Sequence, residues 1–594
     1  MKPVKKKRYS FQKTSTEGKP TRFDWIAIAI IMVVYSCIAL FHLGGFEAPQ
    51  SAYTTTNSPT NMVFDLGSET SISKIKFYLG TPELNESRSL SFDFSDQADS
   101  GFTNLQSVNR GNVFAWNDVP VEVTARYVRV KTNGNQIMLN EISIINAEGN
   151  VVTPQNASEF AALFDEQAMT PDRISLENST YFDEIYHART GYELLHGLPV
   201  YEWTHPPLGK IFISLGIAIF GMVPFGWRIV GTIFGILMIP AIYLFAKRLF
   251  KHSWLAVVTC LLFTFDFMHF VQTRIATIDV YVTFFIILMY YFMYKYYTMS
   301  FYDTPLRKTL VPLALSGLCM GLGIASKWTG VYAGCGLAVL FFLTLFRRFR
   351  EYSYAKTKPR GQTDGIQHEA VIQSFQSNTI KTLLWCCLFF IVVPIIIYLL
   401  AYIPYVRCTG GGFASILKNQ ADMLTYHSKT VLTSTHPFSS HWYEWPIMRR
   451  PIWYYSSAVS NTVKEGISAF GNPLVWWLGI AAFVYMIYLA IAKKDKTALF
   501  LIIAYLAQLV SWIPVTRITF IYHYFPCVPF IVLMLGHSIY RLYQANHNYK
   551  YAAFVYAGLV VVLFAFFYPV LSGLPMNVEF VKTWMEWFPT WILI

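Results

Sequence analysis

Between residues 25 and 568 the chain returns repeatedly to uncharged apolar runs. Most are long enough to cross a bilayer, at roughly 20 residues per crossing. Backbone groups in lipid must find their partners within the segment, so such runs are predicted to be helices. Eleven spans are expected: 25–43, 223–245, 254–270, 280–297, 310–326, 331–346, 382–405, 474–492, 498–514, 518–540 and 552–568. The run 208–222 is too short to span, and reading it as a crossing would put Lys247, Arg248 and Lys251 on the wrong side. It is expected to lie in the outer interface. Apolar residues make up 54% of the 594 and charged residues 14%, against roughly 25% charged in soluble proteins. A soluble enzyme, a coiled coil and a disordered chain are excluded.

Charge is divided along the chain. Residues 45–206 hold 21 acidic and 9 basic residues, leaving 38 basic and 14 acidic, a net of +24, in the remainder. That division is what the positive-inside rule produces when a long acidic segment is exported, and it argues against nucleic-acid binding, which needs a basic patch on one soluble surface. The basic start MKPVKKKRYS before the first run reads as an uncleaved signal anchor with a cytoplasmic N-terminus. The chain is thus expected in the plasma membrane, multi-pass, with its long acidic loops extracytoplasmic. None of its eight cysteines falls in the exported segment, so no disulfide framework is expected there.

Within the exported segment, residues 50–155 alternate as short strands: Met62-Val63-Phe64-Asp65-Leu66, Ile75-Lys76-Phe77-Tyr78-Leu79, Phe92 and its neighbours, Tyr127-Val128-Arg129-Val130 and Ile142-Ser143-Ile144-Ile145. Asn and Gly between them mark turns. An all-β sandwich is expected. The run ARYVRVKTNGNQIMLNEISI resembles the closing strands of discoidin or galactose-binding-like domains. Trp116 and Tyr127 are its candidate glycan contacts, with Trp116 better explained as core.

Ionisable residues at span edges point to function. On the outer side these are Asp183, Glu184, His187, Arg189, His205, Arg228, Asp266, Arg274, Asp279, Arg517 and His523. A carboxylate pair facing arginines suits transfer from a phosphate-linked donor: one carboxylate takes a proton from the attacking hydroxyl, and cations hold the departing phosphate. Lys210 serves equally as a headgroup snorkel or a phosphate ligand. Asp183, Glu184, Asp279 and His187 are the groups that would hold a divalent ion, although their spacing matches no metal motif.

The ordered segments FDEIYHART, THPPLGK, GWR, FDFMHFVQTRIATID, GLGIASKWTG and HPFSSHWYEWPIMRRPIWYY resemble the protein O-mannosyltransferase family. The resemblance implies a GT-C fold, with about 11 spans, using a polyprenyl-phosphate-linked sugar and inverting the anomeric centre. By position it implies Asp183 as base with Glu184 supporting it, and Arg228, Arg274, Lys327 and Arg517 on the donor phosphate. It places His187, His205, Asp279, Trp328, His441, Trp442 and His523 on substrate. The domains are then 1–24 basic tail, 25–43 first span, 50–155 sandwich, 158–222 external catalytic loop, 223–405 membrane core, 406–471 external loop and 472–594 C-terminal membrane region. The loop 406–471 is too short for the MIR insert of the eukaryotic enzymes, and the sandwich is outside the family's usual plan. Both departures suggest a bacterial relative. The expected partners are the lipid-linked sugar, an acceptor protein or glycan, and membrane lipids. Other readings are a transferase acting on a lipid or wall-glycan acceptor, a polytopic transporter or flippase, and a lectin-like receptor. The transporter reading predicts charges on both faces, whereas the non-loop acids here gather on one.

Overall fold

The computed structural model describes residues 18–56, 58–81, 89–108, 111–132, 134, 136–357 and 368–594. The basic tail 1–17 lies outside them. Among the described residues eight helices are long and apolar enough to cross a membrane, nine if one bent pair counts as a single span. The expected count of about eleven is therefore not reached. Helix Asp279–Tyr297 is not among the eight, and Lys496–Trp512 is a shorter apolar helix. The 13-residue helix Leu208–Phe220 is too short to span.

Two buried charges fasten the first helix, Arg22–Leu40, to the bundle. At its start Thr21 and Asp24 form a reciprocal capping box. The same Asp24, fully buried, takes Lys247 Nζ at 3.0 Å and the Tyr243 hydroxyl at 2.8 Å from helix Pro224–Phe250. At its far end Arg274 donates to the carbonyls of Ala39 (3.0 Å), Phe41 (2.8 Å) and His42 (2.5 Å), satisfying acceptors the helix terminus leaves open. The bent pair, Ser253–Thr264 and Phe267–Thr273, turns by 59°. Asp266 sits at the break and accepts from the backbone of Met268 and His269, the backbone of Asn472 and the indole of Trp476. Its carboxylate is thus a joint between spans.

The β domain is one antiparallel sheet of strands β1 (Tyr53–Thr54), β2 (Asn61–Leu79), β3 (Leu90–Ser95), β4 (Thr103–Val108), β5 (Trp116–Thr132), β6 (Met138–Asn146) and β7 (Val151–Val152), in the order β1-β6-β2-β5-β3-β4 with β7 beside β6. Two expected strands, around Phe64 and Phe77, are halves of the single β2. Register shifts after Asp65 and Ile72 break its pairing with β5. Along β5 the buried positions change parity, from Val119, Val121 and Ala125 to Val128 and Val130. Such shifts bend long strands and increase local twist. Trp116 is core, packed edge-on to Tyr78, and Tyr127 is half-buried. Lys76, 1% exposed, reaches out of the sheet to the carbonyls of Pro171 and Asp172, docking the domain onto the segment that leads to Asp183.

The late loop carries helix Gly412–Ser428 and a hairpin, β8 (Ile452–Ala458) and β9 (Val463–Ala469), with β10 (Met576–Asn577) as a third strand. Arg173 pairs with Glu465 of β9, joining the hairpin to the same segment.

Replacing the fully buried Phe92 by Ala should remove about 3–5 kcal/mol from the β domain. The check is a lower thermal unfolding midpoint of the full chain in detergent.

Candidate active site

Glu184 opens helix Glu184–His196, and its carboxylate is completely buried. Oε1 and Oε2 take Arg228 Nε and Nη2 at 2.7 and 2.8 Å. The Trp227 indole (3.1 Å) and the backbone N–H groups of Ala276 (3.1 Å) and Tyr181 (3.2 Å) also donate to it. Arg228 spends its remaining donors on the carbonyls of Leu43, Leu176 and Ser179. A buried ion pair survives only with its lone pairs and protons satisfied in this way. The arrangement is an anchor for the chain on either side of it.

Asp183, one residue earlier, faces the other way. It lines a cavity of about 490 Å³ together with His187, Glu202, His205, Asp279, Lys327, His427, Arg517 and His523. Phe182, before it, holds φ = +49°, a left-handed conformation rare for a bulky residue. Its ring is kept there by stacking on Tyr454 of β8 at 4.2 Å, and the Tyr454 hydroxyl is tied to Gln272 at 2.6 Å. Strain of this kind, of order 1–3 kcal/mol, persists where surrounding packing imposes it.

Five carboxylate, lysine or arginine side chains line the cavity, and three of them are paired. Asp279, at the start of helix Asp279–Tyr297, holds Lys327 through both oxygens at 2.7 and 2.9 Å. Glu202 pairs with Lys210 behind the wall and with His205 at 3.1 Å. Asp183 and Arg517 have no ion pair within 4.0 Å among the described residues; Arg517 reaches only its neighbour's carbonyl, Ile518, at 3.3 Å.

The electrostatics follow from these partners. Burial pushes the Asp183 carboxyl up to about 7; Lys327 opposes the rise, and Asp279 and Glu202 add to it. Burial would raise Glu202 too, but Lys210 and His205 outweigh it and hold that carboxyl well below the usual range. Desolvation, reinforced by neighbouring cations, lowers His187 to about 3 and His427 to about 4. The cavity therefore holds neutral imidazoles and one carboxylate poised near neutral pH.

A second cavity of about 410 Å³ shares Thr204, His205, Lys327, His427 and Arg517 with the first and continues past Trp328, Trp512 and Leu432. Its walls are apolar beyond the shared cations.

Of the residues singled out from sequence, Asp183, His187, His205, Asp279, Lys327, Arg517 and His523 come together in the first cavity, and Trp328 in the second. Glu184, Arg228 and Arg274 do not line either. Arg189 is closed off by Glu193 at 2.7 Å. His441 is exposed and stacks on Tyr443, and Trp442 beside it is half-buried. From that motif it is Trp445 that reaches the site, stacked on His523 with ring centres 6.0 Å apart. Glu202, His427 and Tyr522 were not singled out. Glu202 lay two residues before THPPLGK, while His427 carries no motif. Asp183, Glu184, Asp279 and His187 do not converge on one point. The three carboxylates among the described residues close enough to share an ion are elsewhere: Glu141 on β6, with Asp165 and Glu166 from the segment that follows the sheet.

Glu184→Gln should destabilise the chain by about 3–5 kcal/mol, because it leaves Arg228 buried without its counter-charge. Asp183→Asn should move the thermal midpoint little or raise it, since it removes an unpaired desolvated charge. The two melting curves side by side distinguish anchor from site.

Two family models match the chain. One, for dolichyl-phosphate-mannose-protein mannosyltransferase, covers residues 204–359. The other, the C-terminal four-transmembrane region of protein O-mannosyltransferase, covers residues 412–591. A polyprenol-phosphate-mannose–protein mannosyltransferase of Mycobacterium tuberculosis is 25% identical over 479 residues, 69% of this chain and 86% of the relative. Its Corynebacterium glutamicum counterpart is 24% identical, over 65% of this chain and 81% of the relative. In fold, the chain resembles a chain of the S. cerevisiae Pmt1–Pmt2 protein O-mannosyltransferase complex, solved with its sugar donor. The TM-score is 0.57 at 13% identity, covering 70% of this chain and 89% of that one. With the GT-C arrangement of helices around a charged cavity, these matches establish that the chain belongs to the protein O-mannosyltransferase family of glycosyltransferases.

Proposed function

We propose that the protein transfers mannose from a polyprenyl-phosphate donor to Ser or Thr hydroxyls of exported proteins, at the outer face of the plasma membrane, with Asp183 as base. The observation that carries this reading is the unpaired anion and unpaired cation, Asp183 and Arg517, lining one cavity. A site with every charge matched by the protein has nothing left for a charged substrate. This one lacks a counter-charge for a phosphate and a partner for a hydroxyl proton. The mannosyltransferase relatives support the donor and the protein acceptor. The charge division along the chain supports an outward-facing cavity and a cytoplasmic N-terminus.

In this reading the donor phosphate sits against Arg517 and Lys327, where the cavities meet, and the polyprenyl chain lies along the apolar walls beyond Trp328. Asp279 keeps Lys327 oriented. The acceptor hydroxyl approaches Asp183 and gives up its proton as its oxygen bonds to the anomeric carbon. The bond from that carbon to the phosphate oxygen breaks, and its electron pair leaves with the lipid phosphate. One displacement inverts the anomeric centre. Cations already in place where charge accumulates stabilise the transition state without reorganising.

Transfer from radiolabelled polyprenyl-phosphate-mannose by the purified protein tests the assignment. Asp183→Asn should lower the rate about 10²–10⁴-fold, the range of a positioned general base. Transfer at the wild-type rate would remove Asp183 from the reaction. Mannose appearing on lipid or wall glycan instead of a Ser/Thr peptide would reassign the acceptor.

The same assay carries a pH signature. Asp183 works as a base only when ionised, so the rate should rise with pH and level off above an apparent pKa near 7. A profile flat from pH 5 to 8 would contradict the role.

A further inference from the structure

Helix Gly412–Ser428 opens the late loop and has three distinct sides. Ile416, Asn419 and Met423 are buried against the rest of the chain. Lys418 and Asp422 form an exposed i,i+4 ion pair at 2.6 Å on a second side. Between these sides Phe413, Leu417 and Leu424, spaced by four and seven residues, fall within about 40° of one another at 3.6 residues per turn. All three stand clear of the protein, at 60, 57 and 61% exposure. A loop helix in water gains nothing from such a stripe, and the polar positions between make this one unfit to span. A helix apolar on one side and charged on another belongs at the boundary between water and hydrocarbon.

Its placement points the same way. The preceding span, His368–Thr409, turns Ile396, Leu400 and Ile403 outward, at 49, 57 and 44% exposure. The chain reverses at Gly410 and Gly412, whose φ of +69° and +58° suit glycine. The helix then lies back along the end of the span: the Tyr402 hydroxyl donates to Asn419 at 2.8 Å and the Tyr398 hydroxyl to Gln420 at 2.7 Å. It returns toward the bilayer instead of leaving it, and so brings Leu417 to the level of Leu400 and Ile403. At its far end Leu424, with Leu432 beyond it, lines the second cavity beside Trp328 and His427. The buried side holds the turn after Glu202. Asn419 Nδ2 donates to the Trp203 carbonyl at 3.0 Å, and His427 Nε2 to the Thr204 carbonyl at 2.8 Å. One helix thus braces the Asp183 cavity with one side and offers apolar contacts on another.

We propose that the stripe of Phe413, Leu417 and Leu424 is a membrane-docking surface. It lies in the acyl region of the leaflet nearer the Asp183 cavity. There it holds the mouth of the second cavity at the hydrocarbon boundary, where a polyprenyl chain passes from bilayer to site without crossing water. Lipid hydrocarbon is the occupant because the adjoining span, at the same depth, is itself lipid-facing. The passage of the donor rests on the transfer reaction proposed above; the docking does not.

The full chain in phosphatidylglycerol nanodiscs, with the photo-cross-linker p-benzoylphenylalanine in place of Phe413 or Leu417, tests the docking. Irradiation should give lipid adducts at both positions, read by mass spectrometry, and few with the same group in place of Lys418, one residue away on the polar side. Adducts to a second copy of the chain in place of lipid, equal lipid adducts at Lys418, or none at Phe413 and Leu417 would overturn it. The consequence for the donor has its own readout. Leu417→Asp should raise the KM for polyprenyl-phosphate-mannose about tenfold, roughly the worth of one leucine withheld from hydrocarbon. The KM for a short-chain, water-soluble analogue should stay unchanged. An equal effect on both donors overturns the role at the cavity mouth. Should the wild type transfer from neither donor, the reaction is wrong and the cross-links alone decide the docking.

Discussion

The Glu184–Arg228 pair is the interaction on which the rest of the site depends. Around two side chains it gathers the end of the first helix at Leu43, the segment 176–181, helix Pro224–Phe250 and the backbone turn at Ala276. Each is joined by a hydrogen bond to a charged group, the stronger kind, in an interior where water cannot substitute. Asp183 precedes this anchor by one residue. Its position is therefore set by a buried neighbour, while its own carboxylate remains uncommitted. The left-handed backbone at Phe182 and the stack on Tyr454 complete the division, turning one acid inward and the next toward the cavity.

This division explains where sequence reasoning succeeded and where it stopped. Long apolar runs are a collective signal, and a helix stands at each of the expected spans, although those at 279–297 and 496–512 fall short of the length or apolarity of the others. The β domain was legible from alternation, but a bulge leaves little trace in composition, so one 19-residue strand read as two. Asp183 and Glu184 are chemically near-identical neighbours. Nothing in their spacing says which one meets Arg228, a contact across 44 positions. The resemblance implied Arg228 and Arg274 on the donor phosphate; in the structure Arg228 is held by Glu184 and backbone carbonyls and Arg274 by backbone carbonyls alone, acceptors that sequence does not display. His427 joins His205 with ring centres 5.3 Å apart, from a helix more than two hundred residues away.

The paired charges also divide the labour between fold and chemistry. Lys327 is a cation that Asp279 already neutralises, so it can steady a phosphate without creating a large positive field in the site. Arg517 supplies the net attraction. Neutral His187, His205 and His427 add polar contacts without further charge. An incoming phosphodiester, with its single negative charge, would thus meet one uncompensated cation.

If Asp183 is the base as proposed, its raised affinity for a proton bears on how the site resets between turnovers. A carboxylate left at its ordinary value would be a poor acceptor for a hydroxyl proton, whereas one buried far more deeply would keep the proton once captured. Held near neutrality in a half-open cavity, Asp183 can take the proton in one cycle and lose it to solvent before the next. Recycling then needs no relay residue, because the exit route for the proton is the same opening that admits the acceptor.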